Sequence, residues 1–263
     1  MSYFGFLLRF LIPPILILLS LAWWDRRQNY DTPGFYKLRI PLIIAVHILI
    51  ALVYTTPWDN YLVATGVWTY NPALVTGVVF GYVPVEEYTF FVLETLLAGL
   101  WWWFLARRIH PPENPFRPSP TGRLVAFGIL FAIWALFAST LFYGPDSWNY
   151  LGIILTWALP AIFPQFLFGA DLLWHYRRLL FRAIVPLGVY LSLADIIALH
   201  ATTWSISSSQ TTGVVLFGIL PLEEVVFFFI TNVLIGFGMT LMLSKLGWAR
   251  FQAWRNRDFK GPP

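Results

Sequence analysis

Long apolar stretches separated by short polar segments dominate this chain. Seven of the stretches are long enough to cross the roughly 30 Å hydrocarbon core of a bilayer as helices, at about 1.5 Å per residue. They lie near residues 3–23, 40–56, 78–105, 124–142, 151–169, 183–200 and 214–243. The pattern therefore predicts an all-α integral membrane protein with about seven transmembrane helices.

The composition agrees with this prediction. Of the 263 residues, 58% are hydrophobic and 11% are charged, whereas about a quarter of the residues in a typical soluble domain are charged. The chain has no cysteine, so neither a disulfide framework nor a thiolate metal site is expected. The basic residues are interrupted by apolar spans and form no continuous stripe, so we expect no nucleic-acid partner.

The basic residues predict how the chain lies in the membrane. All but one of the 17 Lys and Arg residues fall after the first, third and fifth apolar stretches or in the C-terminal tail. Arg9, inside the first stretch, is the exception. Because cytoplasmic connections carry an excess of Lys and Arg, we predict a multi-pass protein of the cell membrane with its N-terminus outside and its C-terminus in the cytoplasm.

One motif occurs twice. Pro-x-Glu-Glu-x-x-Phe-Phe occupies residues 84–91 and again 221–228, at an offset of 137 residues. Upstream, an aspartate precedes a tryptophan by nine residues in both copies, as Asp59 and Trp68 and as Asp195 and Trp204. We interpret these matches as a parallel internal repeat of three-helix units joined by a linker helix. The predicted parts are residues 1–109, the linker and odd helix 110–145, and 146–263.

The two prolines locate the glutamate pairs. Pro84 and Pro221 lack the amide proton that a helix interior needs, but they suit a helix start. The glutamates are therefore expected at or just inside a helix N-terminus, with the phenylalanines one turn further along. Capping of the helix is an alternative role for them. The apolar residues before each proline leave open a broken or re-entrant segment, and with it the depth of the pairs in the bilayer.

Carboxyl groups within a membrane span are costly unless they are buried against partners, so their default interpretation is functional. Paired carboxyls in an apolar site are suited to general acid and base catalysis. Aromatic rings nearby stabilise a cation without trapping it as a nucleophile would. This combination indicates carbocation chemistry on an apolar polyene.

The doubled motif resembles the membrane-embedded, non-flavin lycopene cyclases, and it does so together with Pro57-Trp58-Asp59-Asn60 and Gly66-Val67-Trp68 in the first copy. The resemblance covers essentially the whole chain and corresponds to two family-type domains in tandem. One departure is Thr202, which stands where the first copy has Gly66.

The resemblance implies cyclisation of the open ψ-ends of lycopene to β-ionone rings, giving β-carotene directly or through γ-carotene. This reaction is an isomerisation without net redox change, so no cofactor and no metal are expected. A glutamic acid would protonate the terminal double bond, and a carboxylate would remove a ring proton. These roles are carried onto Glu86, Glu87, Glu223 and Glu224, and which residue is acid and which is base stays open. The expected partner is lycopene or a related acyclic carotenoid within the bilayer, with other carotenoid enzymes as further partners.

Other residues are expected to support this site. Asp59, as a loop, cap or relay residue, and Asp195, inside a span, are candidates, as is Glu94, which could relay protons or pair with Asn232 or a histidine. His47 and His200 are interpreted as packing or interfacial residues. The residues expected to stabilise a cation are aromatic: Phe90, Phe91, Phe227, Phe228, Trp68 and Trp204.

The competing interpretation from another class is a proton-coupled membrane transporter, which would also use intramembrane glutamates. A retinal protein is disfavoured because the seventh stretch has no lysine. A prenyltransferase is disfavoured because no aspartate-rich segment is present to hold Mg²⁺. The sequence leaves open whether one or two rings form and whether they are β or ε rings.

Overall fold

The computed structural model describes residues 1–258. Within this part of the chain, seven helical spans are long and apolar enough to cross a membrane, which confirms the predicted all-α membrane class. The helices are α1 (Tyr3–Phe10), α2 (Ile12–Arg27), α3 (Ile40–Ala64), α4 (Val85–Ala106), α5 (Pro120–Tyr143), α6 (Asn149–His175), α7 (Arg177–His200), α8 (Leu222–Leu243) and α9 (Lys245–Asp258). Helices α1 and α2 together form the first span, and the polar helix α9 follows the last.

Two predicted spans were too long at their starts. The segments 78–84 and 214–221 do not begin the helices. Each contains a short antiparallel hairpin, formed by β2 (Val79–Phe80) with β3 (Val83–Pro84) and by β5 (Val215–Leu216) with β6 (Leu220–Pro221). Gly81 and Gly218 turn the two hairpins with φ of 70° and 71°, a conformation that glycine adopts without steric cost. The other five predicted spans lie inside the observed ones.

A third strand pair joins the two halves of the chain. Strand β1 (Trp68–Tyr70) pairs antiparallel with β4 (Trp204–Ile206), with Thr69 opposite Ser205 at the centre. Just before these strands, Gly66 and Thr202 both have positive φ, at 70° and 50°. Thr202 therefore keeps the backbone shape of Gly66, although a β-branched residue is unfavourable there.

Helices α4 and α8 form the centre of the bundle. Each has 61% of its apolar window buried, more than any other span. Helix α4 packs against α2, α3, α7 and α8, and α8 also packs against α6 and α7. Helix α5 lies at the periphery against α6, and no residue of α5 is buried. The two helices that begin with the repeated motif are therefore the most enclosed.

Ion pairs lie at the end of the bundle where α2 and α4 end, which we call the basic end. The buried Asp25 at the end of α2 pairs with Arg107 and Arg108 after α4, at 3.1 and 2.8 Å. Asp171 in α6 pairs with Arg250 in α9 at 2.7 Å. These contacts join the end of α2 to the end of α4, and α6 to α9.

Candidate active site

All four glutamates of the repeated motif lie in the first turns of α4 and α8. Pro84 and Pro221 precede these helices with extended ψ angles of 149° and 142°, so each helix starts directly after its proline. The side chains of all four glutamates are buried. Both pairs thus lie at one end of the bundle, opposite the basic end, which we call the glutamate end.

The first glutamate of each pair binds backbone. The Glu86 Oε1 atom accepts a hydrogen bond from the Thr76 amide at 2.6 Å, and the Glu223 Oε1 atom accepts one from the Thr212 amide at 2.7 Å. Each carboxylate thereby holds the loop before its hairpin. In residues 1–258 the second oxygen of each, Oε2, is buried without a hydrogen-bond partner.

The second glutamate of each pair binds phenol hydroxyls. Glu87 accepts hydrogen bonds from Tyr3 and from Tyr70, the latter at 2.9 Å. Glu224 accepts one from Tyr150 at 2.5 Å. The Tyr150 hydroxyl in turn accepts from the Trp68 indole N–H at 2.8 Å, which orients the hydroxyl proton towards Glu224.

The two hydrogen-bond systems differ in the number of phenol donors. Tyr70 follows Trp68 by two residues in β1, and the residue that follows Trp204 by two in β4 is Ile206, which has no hydroxyl group. Burial, and then the nearby Glu87, raises the pKa of Tyr70 well above its ordinary value, so this phenol remains a neutral donor. Glu87 therefore has two hydroxyl donors and Glu224 has one.

Glu87, Glu224 and Asp195 meet at one small cavity of about 30 Å³, which we call the acid cavity. Three different helices, α4, α8 and α7, bring these carboxyl groups together. Glu86 and Glu223 do not line it. The remaining walls are mostly aromatic: Tyr3, Trp68, Tyr70, Phe90, Trp204, Ile206, Phe227 and Phe228.

The two aspartates have different surroundings. Asp195 accepts a hydrogen bond from the Trp204 indole at 2.9 Å. Asp59 is fully buried, and neither of its carboxylate oxygens has a hydrogen-bond partner among residues 1–258. The expectation that Asp59 belongs to a loop is wrong, because α3 continues past Pro57 to Ala64.

Phe227 separates the acid cavity from a second, larger one. Its ring is stacked with Trp58 at 5.6 Å and edge-on to Trp68 at 5.7 Å between centroids. Phe228 lies 5.3 Å from Phe227 and 6.3 Å from Phe90. Five of the six predicted aromatic residues therefore surround the acid cavity, while the sixth, Phe91, lines the larger one.

The larger cavity, which we call the long cavity, has a volume of about 600 Å³ and lies between α3, α4, α6 and α8. Its walls extend from Phe227 to Arg39 and Trp248 at the basic end, and they are mostly apolar. Among the described residues that line it, Glu94 alone carries a carboxyl group. The partner of Glu94 is Thr231, which donates at 2.7 Å.

The partners predicted for Glu94 were wrong. Asn232 donates instead to the Phe228 carbonyl oxygen within its own helix, at 2.7 Å. A ring nitrogen of His47 lies 2.8 Å from the Ile43 carbonyl oxygen, and this histidine packs against the wall of the long cavity. His200 is exposed at the end of α7.

Sequence reasoning missed the tyrosines. Tyr3 and Tyr150 lie at the starts of α1 and α6, the first helices of the two predicted three-helix units. Aligning the two units at these helix starts, rather than at the glutamates, would have revealed the pair. Tyr70 follows Trp68 by two residues, and no repeated pattern marks it because its counterpart is Ile206.

Comparison with known proteins identifies relatives over most of the chain. A lycopene beta-cyclase of Halobacterium salinarum is 38% identical over 198 residues, which cover 75% of this chain and 81% of the relative. A bifunctional lycopene cyclase/phytoene synthase of Podospora anserina is 34% identical over 218 residues, which cover 80% of this chain and 36% of the relative. The corresponding bifunctional protein of Gibberella fujikuroi is 36% identical over 73% of this chain and 33% of the relative. No family model and no solved structure matches.

Proposed function

The chain belongs to the lycopene cyclase family and is a lycopene cyclase, an isomerase of carotenoid biosynthesis, and from this premise we propose that Glu87 and Glu224 are the proton-transferring residues. The observation that carries the proposal is their convergence on one aromatic cavity. Glu86 and Glu223 are instead the anchors of the two hairpin loops, because each binds a backbone amide outside that cavity.

The two reacting carboxyls have different roles in this proposal. One protonated acid and one carboxylate avoid placing two like charges in one apolar cavity. Hydrogen bonds from hydroxyl groups stabilise the ionised form of a carboxyl group. Glu87 receives two such bonds and Glu224 receives one. We therefore assign Glu87 as the base and Glu224 as the acid.

The reaction follows from these roles. The Glu224 proton adds to the terminal double bond of an open ψ-end, and the electron pair of that bond forms the new C–H bond. The tertiary cation closes a six-membered ring with the neighbouring alkene, and Glu87 removes a ring proton to leave the β-ring double bond. One proton enters and one leaves, so the formula is unchanged. β-Carotene is the proposed final product.

Aromatic rings stabilise the cation in this scheme. Phe90, Phe227, Phe228, Trp68 and Trp204 present their rings around the two carboxyl groups, and such rings attract a cation by about 1 to 2 kcal/mol when water is absent. Rings have no lone pair comparable to that of a hydroxyl group, so they do not capture the cation. Asp59 and Asp195 are supporting residues in this scheme, and Asp195 orients the Trp204 ring by accepting a hydrogen bond from its indole N–H.

The long cavity is the proposed location of the rest of the carotenoid. Its apolar walls suit a linear hydrocarbon, and the end of the cavity away from Arg39 meets the acid cavity at Phe227. At about 30 Å³ the acid cavity has room for about one water molecule, and a substrate end group needs more space than that. We therefore propose that the Phe227 ring moves aside when the end group enters.

Two features that the halves of the chain share support the proposal that it contains two tandem cyclase-type repeats. In both halves a hairpin precedes the glutamates, and strands β1 and β4 pair around a central Thr69 and Ser205. The proposed orientation has the basic end in the cytoplasm.

Purified protein supplied with lycopene in D₂O tests the function. We expect cyclic product without added nicotinamide, flavin or metal, and about one deuterium per ring, because the acid exchanges its proton with water before each transfer. The label should lie at the methylene derived from the protonated alkene carbon. Cyclic product without solvent deuterium, or strict dependence on an oxidised cofactor, would contradict the mechanism. Recovery of lycopene alone from folded protein would contradict the function.

A further inference from the structure

One flank of the long cavity is closed by side chains rather than by packed helices. Helix α3 packs against α4 and α8, and α6 packs against α5 and α8. Within residues 1–258 the backbones of α3 and α6 make little direct contact with each other. Side chains of both helices nevertheless line the same cavity. Something other than helix packing must therefore separate that cavity from the surroundings.

Three aromatic side chains close this flank. The Tyr54 hydroxyl donates to the Trp157 carbonyl oxygen at 2.7 Å, and the Trp157 indole N–H donates to the Tyr54 carbonyl oxygen at 3.4 Å. Their rings are stacked with centroids 5.6 Å apart. Trp58 also stacks on Trp157, at 4.3 Å. Tyr54 and Trp157 thus form a reciprocal pair, which we call the Tyr54–Trp157 latch.

An apolar groove lies outside the latch. Its volume is about 820 Å³, and its walls include Leu49, Val53 and Tyr61, all of which are more than half exposed. Three residues, Ile50, Tyr54 and Trp157, line both the groove and the long cavity. The latch therefore stands between an apolar surface that faces the lipid and an apolar interior.

Prolines lie beside the latch in both helices. Pro57 in α3 borders the groove, while Pro160 and Pro164 in α6 follow Trp157. A proline in a helix interior removes one backbone hydrogen bond and permits local bending. Bending of α3 or α6 here would widen the gap between the two helices.

The two ends of the bundle are poor routes for a hydrocarbon. Strands β1 and β4 and the two hairpins cover the glutamate end. At the basic end, Arg39 stacks over Trp248 at 4.2 Å, and Asp25 is paired with arginines. A molecule without polar groups is dissolved in the bilayer and would have to cross water to reach either end. The flank between α3 and α6 avoids that cost.

We propose that the Tyr54–Trp157 latch is the lateral entrance through which a linear, apolar carotenoid passes from the bilayer into the long cavity. The proposal rests on the proposed function, because it takes the substrate to be an acyclic carotenoid. Opening breaks the two hydrogen bonds and the ring stack of the latch, and also the Trp58–Trp157 stack and the hydrogen bond from the Trp58 indole to the Ile153 carbonyl oxygen. The carotenoid then slides end-first between α3 and α6 until its end group reaches Phe227.

A reversible cross-link tests the entrance. The chain has no cysteine, so the double variant Tyr54→Cys/Trp157→Cys presents a single pair of thiols, which a bifunctional thiosulfonate can bridge and dithiothreitol can release. Because access would then limit turnover, we expect cross-linking to lower lycopene cyclisation about tenfold or more and reduction to restore it.

The matched control bridges α6 to a different neighbour. The Trp134 indole donates to the Thr156 carbonyl oxygen at 3.2 Å between α5 and α6, and neither residue lines the groove or the long cavity. The cross-linked double variant Trp134→Cys/Thr156→Cys should cyclise lycopene at its uncross-linked rate. Equal loss in both pairs would show that restraining α6 anywhere is harmful, and it would overturn the entrance.

A single substitution gives a second readout. Tyr54→Phe removes one latch hydrogen bond and keeps the ring, so we expect a higher kcat/KM at limiting lycopene with unchanged product. If the cysteine pair does not fold or cross-link, an unchanged kcat/KM in Tyr54→Phe overturns the proposal by itself. Unimpaired cyclisation by cross-linked protein also overturns it. Absence of cyclisation in wild-type and reduced protein would instead refute the proposed function.

Discussion

Replacing each glutamate of the repeated motif by glutamine separates proton transfer from loop anchoring. Glutamine keeps the size of the side chain and one acceptor oxygen but cannot exchange a proton. Loss of a general acid or base lowers a rate by about 10² to 10⁴. We expect this loss for Glu87→Gln and Glu224→Gln, whose carboxyls line the acid cavity.

The anchoring glutamates should behave differently. Glu86→Gln and Glu223→Gln can retain the bond from the Thr76 or Thr212 amide. The bond weakens by about 1 kcal/mol when the acceptor loses its charge. The new amide group would also be buried where Oε2 has no partner, at a cost of about 1 to 3 kcal/mol. These variants should therefore unfold at lower temperature but cyclise within about tenfold of wild type.

The assay is the initial rate of cyclic carotenoid formation per folded protein in detergent, with thermal unfolding measured on the same samples. Monodisperse protein at wild-type membrane level is the condition for including a variant. Near wild-type rates in both Glu87→Gln and Glu224→Gln would refute the site assignment. Equal losses in folded Glu86→Gln and Glu87→Gln would refute the division of roles within a pair.

The same two variants distinguish acid from base. In Glu87→Gln the acid remains, so protonation of lycopene can occur and reverse. Lycopene recovered from Glu87→Gln in D₂O should then carry deuterium at the terminal alkene carbon, whereas lycopene from Glu224→Gln should not. Deuterium in substrate recovered from Glu224→Gln alone would reverse the assignment.

Two further predictions concern Tyr150 and the orientation of the chain. Tyr150→Phe removes a hydrogen bond that is stronger once Glu224 is ionised, by about 1 to 1.5 kcal/mol, so kcat should fall about tenfold while KM changes little; a fall of KM and kcat together would indicate a structural role instead. Cysteine labelling should place residues 110–120 on the cytoplasmic side because basic residues flank them, and labelling of this segment from outside would overturn the proposed orientation.

The seven spans were predictable because length and apolarity suffice to identify a helix that crosses a bilayer. The hairpins were not, since Val79 and Phe80 are as apolar as the helix that follows them. Gly81 and Pro84 were the available signals: a glycine that permits positive φ, followed by a residue that cannot continue a helix interior. Pro84 predicted the helix start, but Gly81 was not recognised as the turn of a hairpin.

The division of roles within each glutamate pair could not be predicted either. Adjacent residues on a helix point about 100° apart, so Glu86 and Glu87 necessarily face different neighbours. Which of them lines the acid cavity depends on where α1 and the Thr76 loop pack, and those contacts follow from the tertiary fold rather than from the motif. The same holds for Phe91, which is one residue from Phe90 and lines the other cavity.

Tyr70 makes the surroundings of Glu87 and Glu224 different, although the two halves of the chain are similar. Two carboxyl groups in equivalent surroundings would have equal affinity for a proton, and neither would be reliably acid or base. Tyr70 and Ile206 are the last residues of β1 and β4, each two residues after the repeated tryptophan, and both line the acid cavity. The first half thus has a hydroxyl donor that the second half lacks, and this donor stabilises the ionised form of Glu87. After each ring closes, the proton lies on Glu87 and must return to Glu224. Exchange with water completes this return, because Glu87 releases its proton and Glu224 takes up a solvent proton before the next ring closes, so the cycle has no net proton uptake.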